Sequence, residues 1–115
     1  MELSKADKKV AREVIDIGLQ RELENGLCKT ETILLNWRKG VHNNLESYQA
    51  VYKHVRKFDK HIAQRYDDIT GSRYLLTITY QMLDDIIHEQ DLVDLSEEVQ
   101  LYLKQVVENL SKFQD

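Results

Sequence analysis

Apolar side chains recur at steps of three and four from Leu45 to Ile69: Leu45, Tyr48, Val51, Tyr52, Val55, Phe58, Ile62, Tyr66 and Ile69. That spacing holds them on one stripe of an α-helix for about seven turns. Lys53, Arg56, Lys57, Lys60 and Gln64 fall largely on the opposite face, which is therefore expected to be wet. Asn43 followed by Glu46 has the spacing of a capping box, and Gly71 is the expected stop, so the pattern predicts a helix over 44–69. Beyond the turn, Leu75, Leu76, Ile78, Thr79, Tyr80, Met82, Leu83, Ile86 and Ile87 cover roughly 200° of a helical wheel. Thr77, Gln81, Asp84, Asp85 and His88 leave a narrow polar strip. A helix so widely apolar needs neighbours on several sides, and 72–89 is expected to be the central one.

The same reasoning places the other elements. Ser4 and Asp7 read as an N-cap and its partner, opening a helix that runs to Asn25 and stops at Gly26. Ala11 and Gly18 lie on nearly the same line of that helix. Since Gly inside a helix costs about 1 kcal/mol against Ala, close approach of another helix is the expected reason for it. Leu27–Lys29 reads as a connector, and Thr30–Lys39 as a short helix closed by Gly40, with Ile33, Leu34 and Trp37 on one side. After a loop over 90–95, Ser96 is the expected cap of a last helix with Val99, Tyr102, Leu103, Val106, Val107, Leu110 and Phe113 along its stripe. The short connections predict an all-α fold: an antiparallel helical bundle of four main helices plus one short helix.

A chain of 115 residues, 42% apolar and 31% charged, fits a single globular domain spanning 1–115. It contains no proline, so turns fall to Gly, Asn, Asp and Ser. One cysteine, Cys28, precludes an internal disulfide and suits a reducing, cytoplasmic setting. The charged start predicts no signal peptide, and no apolar run is long enough to span a membrane. A net charge of −4 is mild and does not favour nucleic acid as the main partner.

Four groups of residues are candidates for chemistry. Asp59 adjoins the apolar stripe of 44–69, where a carboxylate would need a partner such as Arg73, Tyr74 or Tyr80. Asp59 and Arg73 are therefore the buried polar candidates. His54 and His61 share one edge of the same helix, and Asp84 and Asp85 stand four and three residues before His88. Bundle metal sites use such spacings but need matching glutamates from other helices, so no metal and no cofactor is expected. Lys53, Arg56, Lys57 and Lys60 form a basic patch suited to phosphates, with Lys5, Lys8, Lys9 and Arg12 near the start of the chain. The turn Thr70–Tyr74 offers a capped helix start to an anion, with Arg73 beside it. Cys28 has no histidine near it in sequence to activate a thiol.

Some apolar residues stand off their stripes: Leu35 and Leu101 on helices, and Leu92 and Val93 in the loop. Together they point to an association patch and to a homodimer or a protein partner. The reading favoured is a non-enzymatic interaction or regulatory protein. An accessory protein binding nucleic acid through the basic face of 44–69 comes second, and a small enzyme or metal protein centred on Asp59 and the histidines third.

Overall fold

The structure, a computed structural model, describes residues 1–113. It is of the all-α, helical-bundle class, with α1 (Lys5–Arg38), α2 (Asn44–Tyr66), α3 (Tyr74–Leu83) and α4 (Glu97–Ser111). Single 3-10 turns occupy Gly71–Arg73 and Glu89–Leu92, and no strand occurs among the described residues. The expected short helix 30–39 is not separate. Helix α1 continues through Gly26 to Arg38 and ends where predicted, at Gly40, whose φ of 74° is left-handed. The Val41 N–H reaches back to Asn36 O and the Gly40 N–H to Trp37 O, which closes the end as a Schellman motif.

The chain packs as two compact units, Met1–Gln20 with the chain from Asp68 onward, and Arg21–Asp67. In the first unit, Leu3, Ala11, Val14 and Ile15 are buried with Ile78 of α3, Ile87, Leu92 and Leu95 of the connection, and Val99 and Leu103 of α4. The Ser4 hydroxyl caps α1 by accepting the Asp7 N–H at 3.0 Å. Ser96 stands at the start of α4 but does not cap it; its N–H and hydroxyl donate to Asp7 at 2.8 and 2.7 Å.

Helix α3 differs from expectation in length and in orientation. It stops at Leu83 rather than near Glu89, because Asp85 takes a left-handed φ of 62°. The Ile86 N–H then bonds Gln81 O, and the Asp85 N–H bonds Met82 O. Part of the supposed polar strip faces inward: Thr77 and Gln81 are buried, while Asp84 and Asp85 are exposed as expected and Leu76 and Tyr80 of the apolar arc are exposed too. Thr77 and Thr79 tolerate burial by donating their hydroxyls to Arg73 O and Leu75 O one turn back. Helix α2 likewise ends early, at Tyr66, and Asp68 rather than Gly71 supplies the left-handed residue, with φ 57°.

Candidate interaction surface

In the second unit, the part of α1 from Arg21 onward pairs with α2 as an antiparallel hairpin. Glu22 meets His61 and Arg65, Gly26 meets His54 and Phe58, and Trp37 meets Asn44, so partners descend along α2 as α1 ascends. The seam is polar for its depth. Glu22 is buried and accepts from His61 Nε2 at 2.8 Å and from the Arg65 guanidinium. His54 Nε2 lies 2.9 Å from Gly26 O; a carbonyl only accepts, so that nitrogen carries the proton. The Phe58 ring lies against Gly26, and a Cβ there would stand 2.8 Å from Phe58 Cε2. This explains why Gly26 is inside a helix and not at its end. At the open end, Trp37 Nε1 donates to Asn44 Oδ1 at 2.7 Å, and the Asn43–Glu46 capping box starts α2 as predicted.

At about 100° per residue, the α1-facing side of α2 carries Ser47, His54, Phe58, His61 and Arg65. The predicted apolar stripe of α2 is centred roughly 90° round from that side. It is open: Leu45, Tyr48, Tyr52 and Val55 are exposed, Tyr48 by 72%. On α1, Leu27 and Leu34 stand a similar angle from the α2-facing line, and Leu27 is 70% exposed. Because the helices are antiparallel, these two rotations lead to the same side of the hairpin. One groove lined by Leu34, Trp37, Asn44, Ser47, Tyr48 and Val51 joins the two stripes. The opposite side carries a groove of about 340 Å³ lined by Asn25, Gly26, Lys29, His54, Lys57, Phe58 and His61. The apolar side is continuous and uncovered. Both of its margins carry mixed charge: exposed Glu24, Glu31 and Arg38 on α1, and exposed Asp59 and Arg56 on α2.

The residues buried within Arg21–Asp67 are Glu22, Gly26 and Ser47, whereas every buried apolar residue belongs to the first unit. The apolar side chains that the hairpin does cover, among them Leu23, Ile33, Val51, Phe58 and Ile62, are only half-buried, so packing stabilises its helices less than those of the first unit.

Comparison with protein-family models, curated proteins and solved structures finds no match.

The other expected sites fall as follows. Leu35, Val93 and Leu101 are exposed, Leu35 in the second unit and the other two in the first. Leu92 is not a surface residue: its 3-10 turn directs it wholly into the core. Asp59 and Arg73 are both exposed, which corrects their reading as buried polar groups. Asp59 does adjoin the apolar stripe, but that stripe is the open one. Lys53, Arg56, Lys57 and Lys60 are all exposed, and they line a strip of α2 together with Tyr48, Gln49 and Tyr52. That aromatic company was not expected, because the tyrosines were assigned to a covered face. His54 and His61 serve the hairpin seam, and His88 Nδ1 pairs with Asp85 at 3.3 Å across a turn rather than along a helix. Among the described residues no three His, Cys, Asp or Glu groups converge. Ser72 does not cap α3; its hydroxyl pairs with Thr70 at 3.0 Å inside the 3-10 turn. Cys28 is a free, exposed thiol.

A cleft of about 560 Å³ in the first unit is lined in part by Leu3, Lys8, Ser72, Leu75, Thr79 and Tyr102. Two of its hydroxyls are already committed, Thr79 to Leu75 O and Ser72 to Thr70, so neither is set up as a nucleophile with a base. No helix is long and apolar enough to cross a membrane among the described residues.

The sequence signals for the missed residues were modest. Helix formers on both sides of Gly26, among them Leu23, Glu24, Leu27, Lys29 and Glu31, favour a continuous α1 over a break. With α1 continuous, Glu22, Gly26 and Thr30 share a line, which is the seam of the hairpin.

Proposed function

We propose that the protein is non-enzymatic and works by protein–protein association through the apolar side of the α1–α2 hairpin. The observation supporting this is the uneven burial: all buried apolar residues lie outside Arg21–Asp67, yet that unit carries exposed Leu27, Leu34, Leu45, Tyr48, Tyr52 and Val55 on one side. Contiguous apolar surface larger than a few hundred Å² marks an interaction site on most soluble proteins. Tyr enrichment is typical of such sites. A cytoplasmic setting suits the free thiol of Cys28. The test is light scattering across a concentration series, for wild type and for Tyr52→Glu and Val55→Glu. Association that both charged variants abolish, with helical circular dichroism unchanged, supports the reading. Association that survives both variants rejects the apolar side of the hairpin as the surface, and a monomer at every concentration rejects self-association through it.

A second reading has one observation in its favour. Tyr48 and Tyr52 stand exposed along the same strip as Lys53, Arg56, Lys57 and Lys60, the combination that stacks bases and neutralises phosphates on single-stranded nucleic acid. Binding to a labelled oligonucleotide that weakens steeply with salt would favour it; no binding at low salt removes it.

A further inference from the structure

The cleft of about 560 Å³ in the first unit has the size of a small-molecule site. Its walls are largely apolar: buried Leu3, half-buried Leu75 and Val106, and the side chain of Tyr102. Such walls favour a hydrocarbon or aromatic body by taking its surface out of water.

The polar chemistry at its edge has one sign. Lys8 lines the cleft and is half-buried. Its stem reaches across to the turn before α3, where a Cβ on Gly71 would stand 3.7 Å from Lys8 Cε. Among the described residues its ammonium has neither an ion pair nor a hydrogen bond. Two carboxylates stand near it in sequence, and neither serves it. Asp7 is turned to Ser96, and Glu2, exposed at the edge of the cleft, makes no ion pair with it. Arg12, one turn along α1, adds positive charge beside Tyr74, whose ring centroid lies 6.0 Å from its guanidinium. The Tyr102 hydroxyl also has no hydrogen bond among the described residues. A half-buried ammonium has given up part of its hydration, so an anion beside it is favoured more than beside a fully solvated lysine.

We propose that this cleft binds a small amphiphilic anion, with a carboxylate or phosphate head against Lys8 and an apolar body between Leu3, Leu75 and Val106. Lys8 can only donate, so it suits a head that accepts. A cationic head would meet like charge, and an uncharged one would leave the ammonium without a counter-ion. The site is independent of the association reading, since none of these residues belongs to Arg21–Asp67.

The test is isothermal titration of the full-length chain with octanoate and octyl phosphate, with octanol and octylamine as controls of equal chain length. At least one of the two anions should bind at a single saturable site, roughly tenfold or more tighter than octanol, as a hydrogen bond to a charged group provides. The tighter of the two identifies the head. Octylamine should bind no better than octanol. Lys8→Met keeps the apolar stem and should remove the anion's advantage while octanol binding stays as it was; Lys8→Gln should behave the same. Arg56→Met, on the open side of the hairpin, should change nothing. No saturable binding of either anion, an affinity no better than that of octanol, or an advantage that survives both Lys8 variants overturns the proposal. So does an advantage lost in Arg56→Met, which would move the site to the hairpin.

Discussion

Gly18 of α1 and Gln81 of α3 occupy one space: a Cβ on Gly18 would stand 2.7 Å from Gln81 Cδ. Gln81 is fully buried, and its Nε2 donates to Ile15 O at 3.1 Å. The glycine is what admits a polar amide into the core, and the amide is what turns the Thr77–Gln81 strip of α3 inward. Gly18→Ala should therefore destabilise the protein. It gains about 1 kcal/mol of helix propensity but displaces a side chain that has no room to move, at a cost of about 1–3 kcal/mol for overpacking plus a similar amount for the lost hydrogen bond. Urea denaturation should show a net loss of about 1–5 kcal/mol. A gain in stability would mean that the two helices are not in close contact at Gly18.

Asp85 closes α3 from the left-handed region, where most residues pay a penalty that Gly avoids. Its carboxylate forms an exposed ion pair with His88, worth roughly 0–1 kcal/mol. Asp85→Gly should thus be neutral to stabilising, by up to about 1 kcal/mol, and Asp85→Ala should be less stable than Asp85→Gly by about 1 kcal/mol. Both variants lose the ion pair, so their difference isolates the backbone. Equal melting temperatures would argue against a left-handed residue at this position.

Periodicity and capping made much of this fold legible. The Ser4–Asp7 and Asn43–Glu46 caps and the Gly40 stop are local devices, fixed by neighbours a few residues away. What could not be read depends on packing partners. The stripe of α2 was visible, but a wheel shows that Leu45, Tyr48, Tyr52 and Val55 share a face without showing whether anything covers it. Gly26 looked like a stop because the Phe58 ring that needs its bare Cα is distant in sequence. The end of α3 was missed because Asp85, unlike glycine, gives no signal that it will turn left-handed. Asp59 and Arg73 were misplaced through the same gap, since the covered side of α2 was mistaken.

The Glu22 carboxylate, buried between His61 and Arg65, ties the two helices of the hairpin together. Removing one partner of a buried pair costs about 3–5 kcal/mol, because the other charge stays behind. His61 is partly exposed and recovers water, so the lower part of that range applies. Glu22→Ala should cost about 3 kcal/mol, and Glu22→Gln less, since its carbonyl still accepts one bond. Hydrogen exchange resolved along the chain should place the loss in Arg21–Asp67. Full stability in Glu22→Ala would show that the hairpin does not depend on this pair.

Asp7 joins the start of α1 to the start of α4, and its charge sets how that joint responds to acid. The Ser96 backbone N–H, and after it the Ser96 hydroxyl, bond the ionised carboxylate and hold its pKa below the ordinary value, against the opposing effect of burial. The unfolded chain, with an ordinary aspartate near about 4, takes up its proton first as pH falls. The contribution is thus complete above about pH 4 and is lost below it, as pH drops through the folded-state pKa. Asp7→Asn keeps one acceptor but no charge, so it should lose about 1–2 kcal/mol at neutral pH. The gap between the variant and wild type should then narrow as pH falls below about 4. Denaturation curves for both proteins between about pH 2.5 and 7 would measure this. A gap that stays constant across that range would mean that the Asp7 charge does not contribute to the joint with Ser96.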